Sequence, residues 1–313
     1  MPPANNSSIQ PLRLAVIGAG TMGLRHMKAA VECERVSLSA IFDIHTERTQ
    51  EAAETFGTHG ATSLQDALES AEAAVIATPT NSHKNIAIAC LQAGLHCLVE
   101  KPLASSETDC RELIDTAAVK NLVLQVGHSE RFNPAVDALW NEKFSPNDIS
   151  SIRARRLNPP VARAIEDDEI LDLMVHDIDV ILALKSSPIR EVTAQRLGKE
   201  HSGARLYFAD GSSAVIEASR SATERVRDLD VMTESDRIHV EYADRTGYVE
   251  PLTNGDRKPR RALTVAKTDP LQEQLTHFAS CIRRGKAPRV TGEHALATLK
   301  LAWRIQAALG GTS

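Results

Sequence analysis

At 313 residues, with 42% hydrophobic and 25% charged residues, the chain is long enough for two globular domains with separate cores. Its formal net charge of −5 and interspersed acidic and basic residues argue against nucleic acid as a partner; the one short basic cluster, Asn254 to Arg261, reads as a solvated loop. Five scattered cysteines, Cys33, Cys90, Cys97, Cys110 and Cys281, form no CxxC pair and fit neither a disulfide framework nor a zinc site, so a reducing compartment is expected.

The polar leader, Met1 to Pro11, has neither a basic n-region nor an apolar h-region, and no apolar run approaches the ~18 residues of a membrane span. A cytoplasmic protein without membrane contact is the expectation. Leu12 to Ile17, Val36 to Phe42, Ala73 to Ala77, His96 to Val99 and Leu122 to Val126 read as buried strands because their apolar runs are nearly continuous, with a weaker strand near Thr58 to Thr62. Helices over Met22 to Cys33, Ser82 to Ala93 and Ser106 to Lys120 alternate with them, Ser106 serving as a cap and Gly94 as a stop. From Ser151 the pattern changes to strands at Ser151 to Arg156, Glu191 to Leu197, Ala204 to Phe208, Ser213 to Ser219, Arg225 to Thr233 and Asp236 to Tyr242, with a hairpin turn at Asp210-Gly211. Helices at Glu169 to Leu184, Leu271 to Arg284 and Gly292 to Ala308 complete the chain. The expected fold is α/β: a parallel-sheet domain over 11–128, then an α+β domain over 129–313 with a large open, mostly antiparallel sheet. The C-terminal helices are free to pack back on the first domain.

Gly18-Ala19-Gly20-Thr21-Met22-Gly23 follows the first strand and opens a helix, which is the setting a dinucleotide fingerprint demands and marks a Rossmann domain. Gly18 permits the tight turn, Gly20 lets backbone approach a pyrophosphate, and Gly23 allows close helix packing, while the helix N-terminus supplies N–H groups; Thr21 and Met22 share the contact. Asp43, 20 residues after Gly23, ends the second strand where a carboxylate meets the adenosine ribose hydroxyls. That carboxylate would repel a 2′-phosphate and Ile44 offers no cation, so NAD is preferred over NADP, with Arg48 nearby as the opposing consideration. Thr78-Pro79-Thr80-Asn81-Ser82-His83, at the end of the fourth strand, suggests a second cofactor contact through Thr78, Pro79, Asn81 and His83. The plainer alternative is ordinary turn chemistry with Ser82 as an N-cap.

The fifth strand runs into Glu100-Lys101-Pro102, and Asp172-Leu173-Met174-Val175-His176 sets a carboxylate and an imidazole four apart on one helix face. A salt-bridged surface histidine is the bland alternative. Together with the glycine fingerprint and Gly127-His128-Ser129-Glu130-Arg131-Phe132-Asn133-Pro134, these segments resemble the glucose-fructose oxidoreductase, inositol dehydrogenase and rhizopine dehydrogenase (Gfo/Idh/MocA) family over nearly the whole chain. The resemblance implies an NAD-dependent sugar dehydrogenase in which Lys101 polarises the reacting hydroxyl, His176 takes its proton, and Asp172 orients His176 or holds substrate, with Glu100 and Lys101 near the cofactor. An imidazole, with an ordinary pKa of ~6.5, suits proton acceptance near neutral pH. No metal is required by a lysine mechanism of this kind, and none is expected.

Within that family the two longer segments look closest to the UDP-N-acetylglucosamine 3-dehydrogenase subgroup, which serves lipid A synthesis; inositol and other sugar or cyclitol dehydrogenases are the alternatives. A nucleotide-sugar substrate would need cations for its diphosphate, for which Arg131, Arg153, Arg155, Arg156 and Arg163 are candidates, with His128 at the border of the cleft or purely structural. The resemblance also implies a homodimer or homotetramer paired through the open sheet. A non-catalytic NAD-binding regulator is the reading from another class, and the presence of Lys101, Asp172 and His176 together weighs against it.

Overall fold

The computed structural model describes residues 10–160, 167–252 and 259–310. The leader up to Ile9, Arg163 and residues 254–258 of the basic cluster lie outside the described residues. Two compact units emerge, residues 1–127 with 271–292, and residues 128–270 with 293–313.

The first unit alternates β1 (Leu12–Ile17), α1 (Thr21–Val31), β2 (Val36–Phe42), α2 (Thr46–Phe56), β3 (His59–Gly60), α3 (Leu64–Glu69), β4 (Ala73–Ile76), α4 (Thr80–Gln92), β5 (His96–Val99), α5 (Glu107–Val119) and β6 (Leu124–Val126). The strands form one sheet in the order β3-β2-β1-β4-β5-β6, every pair parallel. Both faces are covered, which is why β4 reads as an unbroken apolar run and β1 as one broken only by the exposed Arg13. The order reverses between β1 and β4, and ligands of open parallel sheets bind beyond the carboxyl ends of the strands at such a point. The Ser106 hydroxyl accepts the Asp109 N–H at the start of α5, and Gly94 follows α4 at φ +86°. Helix α4, however, starts at Thr80 with Pro79 as its N-cap, so Ser82 lies inside the helix and caps nothing.

The second unit contains α6 (Pro134–Trp140), β7 (Ile149–Leu157), α7 (Val175–Leu184), β8 (Ile189–Gly198), β9 (His201–Phe208), β10 (Ser213–Ser219), β11 (Val226–Thr233), β12 (Asp236–Glu241), β13 (Thr246–Pro251) and β14 (Arg261–Ala262). These strands form an eight-stranded sheet in the order β14-β13-β12-β11-β7-β10-β9-β8, antiparallel except where β7 runs parallel to β10. Alternate residues, including Ile152 and Ala154 on β7, Ala214 and Ile216 on β10, and Leu229 and Val231 on β11, bury against Ile178 and Ile181 of α7. The intervening residues of β7 and β11 carry charge on the other face.

Two helices close the chain, α8 (Pro270–Arg284) and α9 (Gly292–Gly310). Leu271, Leu275 and Phe278 of α8 belong to the first unit's core with Leu12 and Leu14, whereas Leu301, Ala302 and Ile305 of α9 belong to the second unit's core. Among the described residues no helix is long and apolar enough to cross a membrane.

Candidate active site

The glycine loop is shaped by contacts that exclude side chains. Gly18 has φ +102°, and a Cβ there would lie 2.7 Å from the Ala77 carbonyl oxygen; at Gly23 a Cβ would come within 1.8 Å of the Gly18 carbonyl oxygen. At Gly20 the same construction meets no atom within 4 Å, so the loop faces open space. Gly20 is also the N-cap of α1, with no side chain capping the helix and no acid in its first turn. Uncapped N–H groups, positive helix dipole and open space together fit a pyrophosphate. Thr21 is exposed at this end and Met22 half-buried. Beside the loop the Asp43 carboxylate accepts the Ala19 N–H at 2.7 Å and the His45 N–H at 2.9 Å. Each oxygen keeps a lone pair for a ribose hydroxyl.

At the end of β5, Glu100 is only 6% exposed and its Oε1 lies 2.6 Å from His26 Nε2 on α1. Its Oε2 accepts the Lys101 N–H at 3.2 Å. Burial works to raise the Glu100 carboxyl, but the contacts with His26 and Lys101 outweigh it and hold the group below the ordinary carboxylate range. Glu100, expected as a cofactor contact, thus ties α1 to the turn that carries the half-buried Lys101. A similar correction applies to His83. Its ring is 1% exposed, with Nδ1 2.8 Å from the Pro102 carbonyl and Nε2 2.8 Å from the Thr78 carbonyl. That brace joins the ends of β4 and β5 and leaves no ring nitrogen for a cofactor. Thr78, half-buried, stands beside Gly18, while Pro79 and Asn81 are exposed at the start of α4.

In the second unit, the backbone from Ile170 to Met174 winds as a π-helix before passing into α7, and the Asp168 carboxylate accepts the first N–H groups, of Ile170 and Leu171. Such insertions are frequent at functional sites. Asp172 lies in this turn with Arg220 Nη1 at 3.7 Å. The ring of His176 sits 6.4 Å, edge-on, from that of the buried His128, which precedes a short 3-10 turn over Ser129–Phe132.

The four polar residues of this helix divide sharply. Asp177 is fully buried and receives Arg156 Nε at 2.9 Å and Nη2 at 3.1 Å, while Arg156 Nη1 donates to Glu130 at 2.9 Å. Burial opposes the Arg156 charge, yet Asp177 and Glu130 raise that guanidinium above its usual value. Asp179 is buried 3.5 Å from Arg131, whose guanidinium covers the Trp140 ring. Asp172 and His176 alone of the four remain partly exposed.

The arginines expected to meet a diphosphate are therefore engaged elsewhere. Arg131 and Arg156 are buried in these pairs, and Arg163 is not described. Arg153 and Arg155 project from the sheet face opposite α7, where Arg153 Nε binds Asp230 at 3.1 Å and Arg155 Nε binds Asp228 at 3.0 Å. Arg155 thus stands away from the helix of His176, because period-2 alternation puts it opposite Ala154 and the core. On that outer face Asp228, His239 and Glu241 bring ligand atoms within 4.8 Å of one another, a cluster knit by the Arg155–Asp228 and His239–Asp230 contacts.

Residues 12–128 match the model of the Gfo/Idh/MocA family, described as an oxidoreductase family with an NAD-binding Rossmann fold. Residues 12–128 are a Gfo/Idh/MocA-type NAD-binding Rossmann domain. Its cofactor is NAD. The UDP-N-acetylglucosamine 3-dehydrogenase of Acidithiobacillus ferrooxidans is 29% identical over 283 residues, 87% of this chain and 88% of the relative. The myo-inositol 2-dehydrogenase of Thermotoga maritima is 26% identical over 95% of this chain and 96% of its own. A solved structure of the Acidithiobacillus enzyme aligns with a TM-score of 0.88 at 27% identity, covering 96% of this chain and 98% of that one.

Asp43→Ala in this oxidoreductase is expected to lower the ratio of NAD to NADP affinity by roughly tenfold or more, since a charge-assisted hydrogen bond of about 1.5–3 kcal/mol and the repulsion of a 2′-phosphate vanish together. Titration with both cofactors measures it; an unchanged ratio contradicts the ribose role. The motif reading missed His26, although its spacing offered a signal. It lies three residues after Gly23 on a face that also buries Met27 and Ala30, and a polar residue on such a face needs a buried partner.

Proposed function

We propose that the chain oxidises a secondary hydroxyl of a sugar to a ketone, and that the hydroxyl is C3 of UDP-N-acetylglucosamine, as an amino-sugar step toward lipid A. The supporting observation is the division along the second unit's helix: Asp177 and Asp179 are buried in arginine pairs, whereas Asp172 and His176 stay accessible. A carboxylate and an imidazole kept in reach of solvent within one turn suit proton transfer to a bound substrate better than they suit packing.

Gly18, Gly20, Gly23 and Asp43 would hold NAD, which when bound supplies the hydride acceptor. Lys101 donates a hydrogen bond to the reacting hydroxyl and stabilises the charge that develops on its oxygen. An imidazole nitrogen of His176 takes the O–H proton as the carbinol C–H bond yields its hydride, so one proton and one hydride leave and a C=O bond forms. Asp172 orients His176 or holds a neighbouring hydroxyl. The full-length likeness to a nucleotide-sugar dehydrogenase favours that substrate, and the comparable coverage by a myo-inositol dehydrogenase makes a cyclitol the second reading. The proposal includes a cytoplasmic enzyme that self-associates into a dimer or tetramer through the open sheet.

Mixing the protein with NAD and UDP-N-acetylglucosamine is expected to produce NADH absorbance, with little from myo-inositol. NADH from myo-inositol alone would move the reading to the cyclitol, and none from any sugar or cyclitol would remove the dehydrogenase assignment.

A further inference from the structure

Arg227 on β11 lies opposite Arg156 of β7 in the antiparallel register, so both guanidinium groups leave the sheet on the face that α7 covers. Their fates differ. Asp177 and Glu130 both pair with Arg156. Arg227 has a single neutral hydrogen bond, Nη2 to the Asn158 side-chain oxygen at 3.2 Å. Its Nε is shut away from solvent without a hydrogen-bond partner, and no carboxylate among the described residues forms an ion pair with it. Two residues earlier, the exposed Arg225 adds a further positive charge. Burial, then Arg156 and Arg225, push the Arg227 guanidinium down to about 10, against the partial support of Glu130 and Asp177.

Among the described residues, Arg156 thus takes both carboxylates, and Arg227 is left half-buried without an ion pair. An uncompensated guanidinium in that setting costs stability, and its fork matches the oxygens of a phosphate in two parallel hydrogen bonds. We propose that Arg227, steadied by Asn158, is the anion-recognition residue of the substrate site in the second unit, and that it takes a phosphate or diphosphate carried by the sugar. The inference rests on the sugar-oxidation reading for its substrate, and it deepens that reading by selecting anionic sugars over neutral cyclitols.

The test uses the full chain saturated with NAD and titrated calorimetrically with UDP and, separately, inorganic pyrophosphate and uridine. UDP affinity is expected to fall tenfold or more in Arg227→Met, with Arg227→Lys between the two, while NAD affinity is retained. Pyrophosphate should follow UDP, and uridine should bind far more weakly than UDP to the wild type. A second readout separates recognition from packing: without ligand, the Arg227→Met thermal midpoint is expected to equal or exceed the wild type, because a poorly compensated cation has been removed. Equal UDP affinity in wild type and Arg227→Met, no UDP binding to the wild type, or a lowered ligand-free midpoint in the variant would each overturn the subsite. If UDP binding depends on Arg227 but UDP-N-acetylglucosamine yields no NADH, the substrate identity falls and the subsite stands. If NADH forms with an unchanged KM in the variant, the subsite falls and the substrate identity stands.

Discussion

Replacing His176 with alanine is expected to lower kcat by about 10²–10⁴-fold, the range that a positioned general base contributes. The proposed role rests on the exposure pattern of this segment. Asp177 and Asp179 point into buried arginine pairs, which anchor α7, while His176 on α7 and Asp172 in the turn before it stay partly exposed. The glycine loop and Asp43 belong to the other unit, so NAD affinity in the variant is expected to stay within about twofold of the wild type. Steady-state kinetics and a cofactor titration on the same preparation measure both quantities. Added imidazole should restore part of the lost rate, since it returns the missing base without the covalent tether. Wild-type turnover in the variant, or loss confined to NAD affinity, would remove His176 from the chemistry.

Arg156→Ala is expected to be the most destabilising single change in the second unit, by about 3–5 kcal/mol, because it leaves the fully buried Asp177 without its cation and takes the ion-pair partner from Glu130, which keeps only the Asn133 amide. Asp177 is fully buried and takes both Nε and Nη2 from this one guanidinium, while Glu130 takes Nη1. A loss of that size corresponds to a fall in thermal midpoint on the order of 10 °C for a unit of this length. The cost arises from charge left without a partner. Arg156→Met combined with Asp177→Leu should therefore recover part of the loss, which mere removal of an attraction would not allow. Calorimetry of both variants decides the matter, and a midpoint within about 2 °C of the wild type for Arg156→Ala would show that the pair carries little weight. The contrast with Arg227, one strand away on the same face, isolates the variable: one arginine is matched by acid and the other is not.

Much of this was legible in the sequence for local reasons. Strands β1, β2 and β5 coincide with largely apolar runs, because a parallel strand covered on both faces keeps few polar positions, here Arg13, Ser37, Ser39 and His96. The glycine loop was legible because backbone crowding at Gly18 and Gly23 admits no side chain. Helix α2 was not: its sequence, TERTQEAAETF, buries only Thr49 and Ala52 and shows almost no apolar stripe. Strands β13 and β14 were missed because one begins Thr-Gly and ends in proline and the other is two residues long. The parallel pairing of β7 with β10 depends on contacts between segments some sixty residues apart, to which no local pattern refers.

The site divides in the same way. Motif spacing brought out Lys101, Asp172 and His176, but the partners of the charged residues are non-local. In Arg153-Ala154-Arg155-Arg156, alternation tells that Arg156 shares a face with Ala154 and that Arg153 and Arg155 share the other. It does not tell which face α7 covers, so Arg155 read as a substrate ligand and Arg156 as its equal. Arg227 drew no attention at all, since its distinction is the absence of an acid that only the folded sheet reveals.

A kinetic double-mutant cycle on Lys101 and His176 bears most directly on the central claim that an amine and an imidazole act together on one hydroxyl. If they form a single catalytic unit, Lys101→Ala with His176→Ala should lower kcat little further than the worse single variant does. Losses that multiply would mean that the two side chains act independently, and the proposed chemistry would not stand.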